Sequence, residues 1–414
     1  MSDLSGDDST QDVKIHDPVE VTPPMGSIDT SGRSRVSNEN ILAEHPHTLG
    51  KGDRYWHEKI TGDASASWDS DMYAVVSSSG LAINAKVERQ TYRVMQYFKG
   101  ASAFSLWSIS FVEERAGCVK CFMVGDQFNG VGLQLNGSTL QMLIRSDVSG
   151  SVVETVIDQA DWSEDKLDGT GKSGVTLDIT KDMLVEFSYT HLGVGPVRLS
   201  IHVGGDIIFA HVHKTANFLA APWCKSGSLP MRTEMTNTTA QGTETTMRMN
   251  CANFVSDGGS VNQGLILPFS TGVNTVSVNR TESVVFGIRL SEATRYLSAL
   301  PIGYDMKTKS GSKHVFWRVL YRPTIVNGVW SAINGVLDKL DSYSSYSGGF
   351  SIAEGHFDLS VEESEFINLI EGAFARDAYL GYDIDHNSEP LLLVAETVSG
   401  SGSIFVAGSA RIFL

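Results

Sequence analysis

Residues 165–174 read DKLDGTGKSG, and Gly171, Lys172 and Ser173 are the residue types that close a phosphate-binding loop. Such a loop needs G-x-x-x-x-G-K-[ST], leaving a strand and entering a helix whose amides face the phosphates. The place of the first glycine is taken by Lys166, and the residues that follow, GVTLDITKDMLVEFSYT, are β-branched and alternating. Asp161, Glu164, Asp165 and Asp168 add negative charge that would repel a triphosphate. The stretch is expected to be a long connecting loop. In it Trp162 and Leu167 tack the chain to a sheet, Gly169, Gly171 and Gly174 supply positive φ angles, and the acids face water.

Four other patterns could carry chemistry. His202, His211 and His213 offer imidazoles for a metal. A two-residue bend at Gly204-Gly205 would set 203 against 206, 202 against 207 and 211 against 198, so His202 lies away from His211 along the ladder. His211 and His213 share a strand face, but two histidines leave a structural zinc short of its four ligands. Cys118 and Cys121 form C-x-x-C without a second such pair, and Cys224 and Cys251 lie far downstream; on a strand the first two point to opposite faces, as buried thiols. Asp383, Asp385 and Asn387 alternate as in a calcium loop, but Ser388 stands where the glycine is needed and no acid fills the twelfth position.

Glycoside hydrolysis needs two acids on one strand face, about 5 Å apart for retention. Glu113 and Glu114 are consecutive and therefore diverge. Trp107, Trp162, Trp223, Tyr92 and Tyr97 could stack on a sugar, or serve as core and interface anchors. No residue is assigned a catalytic, cofactor-binding or metal-binding role from these patterns, and no cofactor is expected; the roles of the three histidines and of Cys118 and Cys121 stay open.

The elements that must position these side chains are strands. From residue 70 onward, runs such as AFSLWSISFV, LQMLIRSD, VVETVID, VRLSIHV and DIIFAHVHK alternate with period two, separated by Gly-rich turns. LQLNGSTLQMLI, with Asn136-Gly137, is a hairpin signature. Short strands without interleaved helices imply an all-β chain, an antiparallel β-sandwich. Around 240–265 the composition shifts to Thr, Asn and Gly, which sets a junction near 265. A second β-rich region (265–414) follows the sandwich (65–264). It contains one short helix, introduced by a capping box at Ser360 and Glu363, with Phe366, Ile367, Ile370 and Phe374 on one face.

Residues 1–64 read as an extended arm. The first fifty are too polar and aperiodic to order themselves, and would be held only against neighbours, most simply another subunit. The 414 residues carry 48 acids against 32 bases, a net charge of −16, which argues against nucleic acid as a partner. No apolar run is long enough to cross a bilayer, no signal peptide opens the chain, and four cysteines make no disulfide framework, as expected of a protein made in a reducing cytosol.

The segments DWSEDKLDGTGKSGVTLDITK, LGVGPVRLSI and LPMRTEMTN, with KVERQTYRVMQYFKG and IRSDVSGSV upstream, resemble a family of sandwich domains in structural proteins of bacteriophages and large DNA viruses. The similarity spans roughly residues 65–260. It implies a concanavalin-like jelly-roll without catalytic residues. The expectation is a non-enzymatic virion structural protein, a tail, fibre or head-decoration component made in the host cytoplasm. It would assemble as a homo-oligomer with copies of itself and other virion proteins through the arm and the sandwich surfaces. The alternative is a host-receptor or carbohydrate-binding adhesin module of a phage fibre, with a host surface glycan as partner.

Overall fold

The computed structural model describes residues 39–98, 101–190, 193–257, 264–294, 296–311, 314–358, 364–368 and 379–413. The first sandwich runs through β1 (Glu39–Pro46), β2 (Trp56–Thr61), β3 (Ser65–Asp69), β4 (Ala74–Ser78), β5 (Lys86–Thr91), β6 (Ser102–Ser110) and β7 (Cys118–Gly125). It continues with β8 (Gly130–Asn136), β9 (Thr139–Ser146), β10 (Val153–Asp158), β11 (Met183–Thr190) and β12 (Val197–Val203). It closes with β13 (Asp206–His213), β14 (Met231–Asn237) and β15 (Thr246–Asp257).

These strands form an eight-stranded sheet, β13-β12-β11-β6-β15-β4-β3 with β1 also on β15, and a seven-stranded sheet, β10-β9-β8-β7-β14-β5-β2. Every pairing is antiparallel, and the chain passes back and forth between the sheets, as in the jelly-roll expected. Alternate residues of both sheets close one core, with Trp107, Phe122, Phe187, Met231 and Phe254 fully buried.

Two readings change here. The sandwich begins inside the stretch read as an arm: β1 pairs with β15 from Glu39↔Asp257 to Pro46↔Cys251, and β2 closes the edge of the other sheet. Residues 1–38 lie outside the described residues. The Thr-, Asn- and Gly-rich run near 250 contains β15, a twelve-residue strand inside the eight-stranded sheet. A bulge between Met249 and Cys251 moves its buried positions from Met247 and Met249 to Ala252 and Phe254. The alternation that would betray the strand is thereby broken in mid-course.

The second β-rich unit holds β16 (Leu265–Ser270), β17 (Val276–Val278), β18 (Ser283–Leu290), β19 (Ser298–Gly311), β20 (His314–Tyr321), β21 (Thr324–Val326) and β22 (Val329–Ala332). Its later strands are β23 (Leu337–Ser342), β24 (Ser345–Ser347), β25 (Phe350–Asp358), β26 (Ser364–Asn368), β27 (Leu391–Thr397) and β28 (Gly402–Phe413). Five- and six-stranded sheets enclose a separate core around Phe269, Phe286, Tyr304 and Trp317.

The expected helix is corrected: Ser364–Asn368 is β26, paired with β19 from Gly303↔Asn368 to Lys307↔Ser364. A single short helix is marginal by itself, and the open edge of β19 supplies non-local backbone partners. Ser360, Glu363, Ile370 and Phe374 fall outside the described residues. The one helical element among the described residues is a 3-10 turn at Gln159–Asp161.

Candidate functional site

The GKS stretch is a loop organised around a buried acid. Asp165 turns inward, correcting the expectation that the loop acids all face water. Its Oδ1 accepts from the Leu167 amide at 2.9 Å and its Oδ2 from the Ser173 amide at 2.7 Å. These are the amides that a phosphate would need, and the carboxylate already occupies them. Lys172 is 81% exposed and lies 3.9 Å from Glu164. Trp162 and Leu167 are buried in the core. Leu167, Gly169 and Gly174 have positive φ, whereas Gly171 does not. Gly171 is small for another reason: a Cβ there would lie 2.0 Å from Asp165 Oδ1.

The histidines are dispersed. His202 faces Ile207 as the bend predicts, but a bulge at Leu199/Ser200 sets His211 against Leu199 instead of 198. His211 Nδ1 accepts from the Ser163 amide at 3.1 Å, and His202 Nε2 lies 3.3 Å from Glu186. Cys118 points into the main core, while Cys121 joins Met123 and Leu143 on the opposite face. Burial pushes the Cys118 thiol up to about 11. Among the described residues no three metal-capable side chains come together. Trp107, Trp162, Trp223 and Tyr97 are core residues, and Tyr92 alone of the five aromatic residues is half-buried.

A cluster without a local sequence signal crosses the outward face of the seven-stranded sheet. Cross-strand register lines up Lys59, Glu88, Glu234, Cys121, Gln134, Gln141 and Asp158 in one row. Arg232, two residues from Glu234 and so on the same face, donates to Glu234 at 2.5 Å, to Gln90 at 2.8 Å and to Glu88. Arg145 donates to both oxygens of Glu234 at 3.0 Å and to Glu154 at 2.8 Å. Gln134 donates to Gln141, and Gln141 to Asp158, at 2.8 and 2.7 Å. Burial works to raise the Glu234 carboxyl, but Arg232 and Arg145 outweigh it and hold it well below the carboxylate range. Glu234 therefore stays ionised and cannot donate a proton near neutrality.

The second unit packs against one end of this face. The Tyr382 hydroxyl donates to Asp126 Oδ2 at 2.7 Å, and His386 Nε2 lies 3.2 Å from the same oxygen. Asp126 Oδ1 takes the Phe128 and Asn129 amides at 2.7 Å each. His386 stacks on Tyr382 with ring centroids 4.2 Å apart and meets Phe128 edge-on. The calcium-like segment belongs to this junction: Asp383 Oδ1 accepts its own loop amides from Asp385 and Asn387 at 2.9 and 2.8 Å, and Asp385 pairs with Lys59. Arg322 lies over the Tyr92 ring at 3.2 Å and donates to the Arg54 carbonyl at 2.9 Å.

No family model and no curated protein matches the chain. Solved structures resemble about half of it. A Shewanella oneidensis MR-1 protein of unknown function is 8% identical over 57% of this chain and 93% of its own, with a TM-score of 0.37. An Entamoeba histolytica legume lectin-like domain is 10% identical over 51% and 96%, TM-score 0.30. A Bacillus licheniformis beta-glucanase is 10% identical over 53% and 97%, TM-score 0.32. Each likeness covers about half of this chain and concerns the fold alone. No helix among the described residues is long and apolar enough to cross a membrane.

Proposed function

We propose that the chain is a non-enzymatic structural component of a multi-subunit particle, with the virion suggested by the sequence resemblance as its setting. The observation that carries the non-enzymatic half is the saturated charge ladder. Glu88 and Glu234 are the cross-strand carboxylate pair that a hydrolase could use, and both are taken up by Arg232, with Arg145 closing on Glu234. A general acid needs a carboxyl poised near working pH, and Glu234 is displaced the other way.

The assembly half is supported by β10, an edge strand of the seven-stranded sheet carrying exposed Val153 and Val156, with exposed Val152 beside it. Monomers normally blunt such an edge with charge or cover, and an exposed apolar edge suits strand addition by another subunit. The test is co-expression with the remaining particle proteins. Incorporation should be lost on replacing Val153 and Val156 by lysine in a chain that still folds. Normal incorporation would reject the reading, as would glycan hydrolysis that disappears in Glu234→Gln.

A further inference from the structure

Between the two units lies a cavity of about 290 Å3 whose walls are cationic and aromatic, in a chain of net charge −16. One side comes from β1, with Glu44 and His45, and from the residues flanking β2 and β5, Arg54, Tyr55, Tyr92 and Arg93. The other side comes from Tyr321 and Arg322 at the end of β20 and from Phe350 on β25. We propose that this cavity is a binding site for a small monoanionic carboxylate with a body of about one sugar ring, held by Arg322.

Arg322 is built into place. Its guanidinium stacks on Tyr92 and also lies 4.5 Å from the Tyr321 ring centroid and 5.3 Å from that of Phe350. Its backbone sits in the left-handed region at φ +56, directly before Pro323, and its amide donates to the Pro390 carbonyl at 2.9 Å. A residue without glycine's freedom is held there only when its surroundings over-determine it. The side chain is 8% exposed, yet Nε and Nη1 have no hydrogen-bond partner. Glu389 Oε1 stands 4.0 Å from Nη1, the outer limit of an ion pair.

His45, 6% exposed, likewise has no partner for either ring nitrogen. Buried donors are rarely left unmade, because each such group forfeits its hydration. Both residues line this one cavity, and an occupant that accepts hydrogen bonds would supply what they lack.

Charge and shape narrow the class. Arginine beside aromatic rings suits a carboxylate attached to a ring, with the ring lying on Tyr55, Tyr92, Tyr321 or Phe350. Glu44 at the wall disfavours a dianion such as phosphate. The volume matches a single ring and not a chain. Burial, then Arg93 and His47, keeps His45 uncharged by lowering it to about 3, so it can both donate to and accept from a hydroxylated ligand. None of this depends on the assembly role, and either reading can fail alone.

The experiment is calorimetric titration of the full chain with sodium glucuronate, glucose and inorganic phosphate. Glucuronate should bind, glucose should not, and phosphate should bind at least about tenfold more weakly. Arg322→Met should weaken glucuronate roughly tenfold or more. Glu44→Gln, at an exposed position, should tighten it about threefold by removing a like charge. Bound glucuronate should also move the His45 ring titration upward, which a purely structural arginine would not do. Absence of glucuronate binding, equal binding of glucose, or phosphate binding as tightly as glucuronate overturns the proposal. If Arg322→Met does not fold, failure of Glu44→Gln to tighten binding overturns it instead.

Discussion

Glu88 and Glu234 stand directly opposite each other on β5 and β14, and the Arg232 guanidinium is hydrogen-bonded to both. Two buried carboxylates side by side would repel, and one would have to take up a proton. Arg232 and Arg145 hold the Glu234 carboxyl well below the carboxylate range against its burial. Removing one cation leaves an uncompensated buried charge, which costs more than the pair itself contributes. Arg232→Met should therefore destabilise the first sandwich by about 3–5 kcal/mol, measured as a shift of the urea midpoint. A loss below about 1 kcal/mol would mean that the ladder is hydrated.

The Tyr382–Asp126 bond joins the two units. A hydrogen bond to a charged acceptor is worth about 1.5–3 kcal/mol, so Tyr382→Phe should lower stability by that order. It should also speed amide exchange in the turn between β7 and β8, read by hydrogen exchange. An effect confined to the second unit would show that the junction does not couple the sandwiches.

Acid should weaken the same two places. For Asp126, burial favours the protonated form, but His386, the Asn129 amide and the Tyr382 hydroxyl together outweigh it and lower the carboxyl below its ordinary value. Glu234 is lowered too. A carboxyl lowered on folding contributes stability that is complete above the unfolded value, about 4, and is lost as pH falls through the folded value. The contribution of these two carboxyls to the denaturation midpoint should hold steady from pH 7 to about 5 and fall below about 4. Asp126→Asn should flatten part of that fall.

Glu389 behaves in the opposite sense. Burial, only partly offset by Arg322, pushes its carboxyl up to about 8. Its contribution is complete below the unfolded value near 4.5 and is lost as pH rises through about 8. Glu389→Gln should raise stability at pH 8–9 by roughly 1–3 kcal/mol and change little at pH 4. The paired pH measurement separates this effect from altered packing.

At the GKS loop the glycine should matter and the lysine should not. Gly171→Ala drives a methyl group into the Asp165 carboxylate and should cost about 1–3 kcal/mol. Lys172→Ala, at an exposed position, should stay within about 0.5 kcal/mol. ATP should stabilise neither variant nor the parent chain in a thermal melt.

Strands between β4 and β13 were legible where apolar and polar residues alternate along the chain, as in AFSLWSISFV and VRLSIHV. The rejection of GKS as a phosphate loop was legible too, from Lys166 and the β-branched residues that follow. β15 was not, because its bulge changes phase between Met249 and Cys251. β26 was not, because pairing with β19 outweighs a helical pattern that short-range spacing alone suggests. The bulge that moves His211 by one place belongs to the same class of event.

The residues by themselves determined an all-β chain with His202 apart from His211 and with Cys118 and Cys121 on opposite faces, since these follow from a period that each strand carries internally. Only the tertiary structure decided that Glu88 meets Glu234 and that Arg322 stacks on Tyr92. The members of each pair lie more than a hundred residues apart, and nothing local encodes them. They become neighbours when cross-strand register and the packing of one sandwich on the other are set, and both depend on burying the whole chain's apolar faces at once.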